Sequence, residues 1–151
     1  MYFWKIDNLN EELVTSSVTE ADSFKYLLAN VALYMLAAFH FPYTNSYDLL
    51  GSSISLVIAV AGLIFIYKCN GGREGSYIML RYLSISWVVL IRMLVWVIPL
   101  GISFYIAYET VLGGLVEDTS IVEILFVAII EIIYVYLIAK NVNNVAKKSY
   151  A

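Results

Sequence analysis

The sequence predicts an all-α polytopic membrane protein of four transmembrane helices, with both termini cytoplasmic and a short N-terminal interfacial helix. Three observations lead there. Hydrophobic residues make up 62% of the 151 positions and charged residues 14%, against about 45–50% and about 25% in soluble domains. The apolar residues gather in blocks close to the roughly 20 residues that a spanning helix needs. Lys and Arg fall almost wholly on one side of those blocks. Residues 1–151 then form a single membrane domain.

Residues 1–19 begin it as a cytoplasmic segment. Phe3, Trp4, Ile6, Leu9 and Leu13 alternate there with acidic and amide residues, the pattern of a helix lying on the inner leaflet with its aromatics at headgroup depth. Asp7, Glu11, Glu12, Glu20 and Asp22 are the opposite of a basic signal-peptide start, so no cleavable leader is expected.

The first span is expected over residues 20–41, where Thr19, Glu20 and Asp22 provide an N-cap and an acidic first turn. It rises about 33 Å, enough to cross, and carries Asn30 and Tyr34. The second, over 49–67, places Gly51, Ser55, Ala59 and Gly62 near one face, a small-residue strip that lets another helix approach closely, in the same chain or in a second copy. The loop after it, Asn70 to Gly75, is glycine-rich. It lacks the preceding strand and the Lys-Ser/Thr pair of a phosphate loop and reads as a hairpin turn. The third span, over 83–108, contains Arg92 and Trp96, and Pro99 is expected to kink it as a candidate hinge. The fourth, over 121–139, opens on Ser120-Ile121-Val122-Glu123, a capping box. Residues 140–151 follow as a cytoplasmic tail, a frayed helix end with snorkelling lysines.

Orientation comes from the cations. Lys5, Lys25, Lys68, Arg73, Arg81, Lys140, Lys147 and Lys148 share one side in a four-span arrangement, and Arg92 alone lies within a span. That side is cytoplasmic by the positive-inside rule.

Ionisable groups inside a span are costly and mark candidate functional positions. Arg92 lies about 16 Å from the inner boundary, counted from Arg81, and Glu131 about 13 Å, counted from Lys140. Their spans are antiparallel neighbours, so an Arg92–Glu131 ion pair is expected. Tyr34 and Asn30 of the first span would join this polar layer, with the ring of Trp96 over the Arg92 guanidinium. Such a layer can hold four helices in register or mark an ion pathway.

On the outer side Asp48, Glu109, Glu117 and Asp118 lie without a compensating cation, near His40. An acidic rim of this kind could concentrate cations or attract a basic partner. No metal site, cofactor or catalytic constellation is expected: there is one histidine and one cysteine, Cys69, and no HExxH motif. The net charge of −3 argues against nucleic acid as a partner. The expected partners are the lipid bilayer, a second copy of the chain or another protein. The expected function is a non-catalytic assembly or partner-binding subunit, with a homo-oligomeric, cation-preferring channel or pore as the alternative. Small size and the lack of glycosylation sequons and organelle signals point to a bacterial inner membrane.

Overall fold

The computed structural model describes residues 2, 4–15, 18, 20–38, 46–112 and 120–149, with the backbone alone at 20, 21, 31, 34–38, 109 and 112. The described residues form five helices: α1 (Ile6–Val14), α2 (Glu20–Ala38), α3 (Ser46–Cys69), α4 (Ile78–Leu112) and α5 (Ile121–Ser149), with a 3₁₀ turn at Gly72–Glu74. Three of them, α3, α4 and α5, are long and apolar enough to cross a membrane. α2, with Asp22, Lys25 and Asn30 among its 19 residues, is not one of these three.

Local chemistry explains the helix ends. At the start of α5 the Ser120 amide donates to Glu123 Oε2 at 2.9 Å, and the Glu123 amide to Ser120 Oγ at 3.3 Å. This is the capping box visible in the sequence, with two orphan amides satisfied reciprocally. α3 ends at Cys69, and the amide of the next residue, Asn70, bonds back to Ile66. Gly71 follows at φ 99°, a left-handed helix stop that favours glycine. Asn70 Nδ2 donates to the Ser76 carbonyl across the turn, and a Cβ on Gly75 would collide with the Asn70 carbonyl. The glycines of this loop therefore close a tight hairpin.

The pairing of the long helices follows from a few contacts. Gly51 faces Ile124 and Gly62 faces Val135, so α3 and α5 run parallel. Arg81 meets Ser149, Tyr134 meets the Ser86 carbonyl, and Phe104 stacks on Phe126, so α4 runs antiparallel to α5. α2 packs against α4.

Burial is concentrated at one end of the bundle. Ile66, Ile85, Val88, Val89, Ile138, Val142 and Val145 pack there with Tyr26 and with Ile6, Leu9 and Leu13 of α1. Towards the other end Leu49, Leu56, Ile98, Leu100, Ile102, Leu125 and Ile129 are exposed. The lengths explain the asymmetry. α4 and α5 rise about 52 and about 43 Å, well beyond a hydrocarbon core of about 30 Å. The excess forms the packed end, and the apolar remainder presents a surface suited to lipid.

Two expectations are corrected here. The apolar face of α1 does not lie on a leaflet. Leu9 is fully enclosed and Ile6 and Leu13 nearly so, by α4 and α5. An apolar stripe records only that something apolar covers it, and here that is protein. The segment after residue 139 is not a frayed tail either. α5 continues to Ser149, with Val142, Val145 and Ala146 buried.

Candidate functional site

The packed end and the levels just above it hold most of the polar side chains that the fold encloses. Arg92 is the first. Its Nε donates to the Trp4 carbonyl at 2.8 Å, and its guanidinium carbon lies 5.7 Å from the centroid of the Trp4 ring. Among the described residues the one ion pair is Lys25–Asp22 at 3.0 Å, so the expected Arg92–Glu131 pair is not formed. Helical side chains lean toward their own helix N-terminus. On antiparallel α4 and α5 this sends Arg92 toward the packed end and Glu131 away from it, although their backbones lie at similar depths. The covering ring is Trp4, and Trp96 is 71% exposed.

Glu131 is half-buried on α5, and its Oε2 is enclosed without any hydrogen-bond partner. Tyr134 and Val135, one turn on, turn to α4 and α3 respectively, so Glu131 lies on the same inward face. Asn30 bridges α2 to α4 by donating to the carbonyls of Tyr26 (2.8 Å) and Leu83 (3.4 Å). It bonds backbone and does not reach the Arg92 side chain. The side chains of Tyr34 and Glu109 lie outside the described residues, as do His40, Glu117 and Asp118.

The small-residue strip of α3 turns to α5 through Gly51, half-buried Ser55 and buried Gly62. Ala59 is exposed, and Ile58 takes its place in the packing phase. α4 continues as helix through Pro99, which is exposed. Asp48 lies in the first turn of α3, where the Ser52 hydroxyl donates to its carbonyl at 2.9 Å.

In the sequence Arg81 reads only as a topological charge, yet it is 2% exposed. Its Nη1 donates to Asn70 Oδ1 at 2.8 Å and its Nη2 to Ser149 Oγ at 2.9 Å. These partners stand at the C-terminal ends of α3 and α5, where the helix dipoles favour a cation. The signal was present in the helical phase: Arg81, Ser84, Ile85 and Val88 share one face.

Beside α1 a cleft of about 460 Å³ opens against the last turns of α5. Asp7, Asn10 and Glu11 form one wall. Asn141, Asn144, Val145, Lys147 and Lys148 form the other. Asn10 Nδ2 donates to Asn141 Oδ1 at 3.0 Å, and the Asn10 Oδ1 is enclosed with no partner. The N-terminus is also pinned. The Tyr2 amide donates to the Tyr26 hydroxyl at 2.7 Å and the Tyr2 hydroxyl to Glu12 at 2.5 Å. That hydrogen bond to the carboxylate is the main reason the Tyr2 phenol titrates above its ordinary value. Together these groups can bind and orient polar ligands and tie helices to one another.

No family model, curated protein or solved structure matches this chain.

Proposed function

We propose that the chain is a non-catalytic subunit of a bacterial inner-membrane assembly, crossing the bilayer four times with both termini cytoplasmic. It meets its partner through the membrane-embedded part of α5 around Glu131. The observation that carries this reading is the Glu131 carboxyl, which has an enclosed oxygen without a donor while Arg92 is engaged with Trp4. A carboxyl at that depth is costly unless a donor meets it. A partner helix that closes on the exposed edge of this half-buried side chain can bring a donor to the carboxyl's other oxygen. It would also cover the exposed Ile129, Ile132, Ile133 and Tyr136 beside it. The position of Lys140, Lys147, Lys148, Lys68 and Arg73 around the packed end supports a cytoplasmic assignment for that end.

The test is cysteine crosslinking from Ile132→Cys, in a Cys69→Ser background, in native membranes. A discrete covalent adduct that disappears on Glu131→Leu is expected. A chain that stays at its own 17.1 kDa under all crosslinkers would remove the reading. The same Glu131 oxygen also favours a second reading, a homo-oligomeric cation-preferring pore. Planar-bilayer recording separates the two: discrete currents altered by Glu131→Gln or Arg92→Gln would indicate the pore, and silence across voltages and salts would leave the subunit.

A further inference from the structure

The polar boundary of the molecule is not level around its circumference. On α3 and α5 exposed apolar side chains continue to Phe65 and Tyr67 and to Ile133 and Tyr136, close to Lys68 and Lys140. Beside α4 polar groups begin much deeper. Tyr134 lies six residues before Lys140, about 9 Å along α5, and its hydroxyl meets the Ser86 carbonyl. Arg92 follows Ser86 by six residues, a rise of about 9 Å that exceeds the span from an arginine Cα to its Nε. The Trp4 carbonyl, 2.8 Å from that Nε, therefore lies level with the Ser86 carbonyl or farther from the packed end.

The groups at that depth are polar and uncovered. Trp4 is 50% exposed, and both Trp4 and the exposed Lys5 are non-helical. Hydrocarbon does not tolerate irregular backbone that faces it. The Arg92 Nη groups have no acceptor, and its charge no carboxylate, among the described residues. A guanidinium so placed is met where the bilayer thins locally and brings headgroups or water to it. The Trp4 ring covers its face, and its edge presents a planar fork of N–H donors that matches a phosphate. Lys5, next in the chain, adds a second exposed cation.

We propose that the leaflet on the side of the packed end is thinned beside α4, and that a phospholipid phosphate seats there on the Nη groups of Arg92. The site needs α3, α4 and α5 to cross the bilayer, and it stands whichever partner Glu131 meets.

The test is solid-state NMR of the full chain in phospholipid bilayers and phosphate-free buffer, with guanidinium-¹³C arginine dephased by lipid ³¹P. Arg73→Lys leaves two labelled groups, Arg92 and the 2% exposed Arg81. Hydrogen bonds of about 2.7–2.9 Å would put the Arg92 carbon about 4 Å from phosphorus, so one of the two signals is expected to dephase. Arg92→Gln should remove that signal and leave the undephased one. Slow deuterium exchange of the α3 and α5 amides in the same sample shows that the spans are in place, so a missing effect reports on Arg92 and not on insertion. Dephasing of neither signal means that water alone meets the guanidinium and overturns the proposal. Dephasing that survives Arg92→Gln belongs to Arg81 and overturns it as well. Freely exchanging α3 and α5 amides would overturn the membrane crossing on which the site depends.

Discussion

Arg92 of α4 and Trp4 of the N-terminal segment are joined twice, by a 2.8 Å hydrogen bond to the Trp4 carbonyl and by a guanidinium lying 5.7 Å from the Trp4 ring centroid. The two residues are 88 positions apart, and the contact fixes the start of the chain along the groove between α4 and α5. It also resolves how an arginine is tolerated within a long apolar helix. The side chain leans toward the α4 N-terminus, where a backbone carbonyl and an aromatic face receive it. Immediately after this contact α1 begins, and Ile6, Leu9 and Leu13 bury the apolar face that holds the segment down.

Arg92→Gln is therefore expected to loosen the whole N-terminal segment. The hydrogen bond is solvent-exposed and contributes about 0.5–1.5 kcal/mol, and the exposed cation–π contact about 0.5–1 kcal/mol. Amide hydrogen exchange across residues 5–14 should accelerate about ten-fold or more, with exchange in α3 unchanged. Trp4→Leu removes the ring and keeps the carbonyl, so its effect should be the smaller of the two. Equal protection of α1 in wild type and Arg92→Gln would show that the contact does not hold the segment.

The same segment should respond to alkaline pH through Tyr2. Its hydroxyl donates to Glu12, and that bond raises the phenol above its ordinary value of 10.0. A raised acid stabilises the docked state fully below the unfolded value, and the contribution is lost as pH climbs through the docked-state value. Exchange in α1 should accelerate above about pH 10, after correction for intrinsic rates. Tyr2→Phe should flatten this dependence. A pH profile identical in the two proteins would exclude Tyr2 as its source.

Much of this architecture was legible in the sequence, and the parts that were not share a cause. Hydropathy located α3, α4 and α5, and Ser120 with Glu123 marked the start of α5, because both signals are local. The docking of α1 was not legible, since Ile6, Leu9 and Leu13 would present the same stripe to lipid or to protein. The matching stripe lay elsewhere, at Val142, Val145 and Ala146 on α5, beyond the end of its apolar run. Apolar periodicity that continues past a membrane boundary requires a protein neighbour. The Arg92–Glu131 pair failed on geometry. Equal backbone depth on antiparallel helices sends side chains in opposite axial directions. The role of Arg81 was hidden because a cation at a span boundary satisfies the positive-inside rule whether it is solvated or enclosed.

Arg81 and Asn70 should show unequal costs of removal. Asn70→Leu leaves an enclosed charged donor without its Oδ1 acceptor, and an unmet buried charged donor costs about 3 kcal/mol or more. Arg81→Met removes the charge itself and leaves only neutral oxygens unmet, the buried Asn70 Oδ1 at about 1–3 kcal/mol and the part-buried Ser149 Oγ, which water can reach. Thermal unfolding in detergent, followed by circular dichroism, should rank wild type above Arg81→Met and Arg81→Met above Asn70→Leu. The double variant should be more stable than Asn70→Leu alone. The reverse order would show that Asn70 acts mainly through its bond to the Ser76 carbonyl and not as the acceptor for Arg81.

The contact of Gly62 on α3 with Val135 on α5 provides the test of helix packing. A Cβ on Gly62 would lie 2.7 Å from Val135 Cγ2 and 2.9 Å from Cγ1, so Gly62→Ala forces the two helices apart or Val135 out of its rotamer. Overpacking of this kind costs about 1–3 kcal/mol. Val135→Ala alone loses packing against Gly62, but in combination it frees the space that the added methyl group requires. The pair should therefore be non-additive by about 1 kcal/mol or more, with the double variant above Gly62→Ala in unfolding midpoint. Gly51→Ala makes a useful contrast, because its Cβ would meet Ile124 at 3.4 Å, an ordinary contact, and its midpoint should stay near wild type. Additive losses at Gly62 and Val135, or a Gly51→Ala loss as large as that of Gly62→Ala, would mean that α3 and α5 do not meet in this register within the membrane.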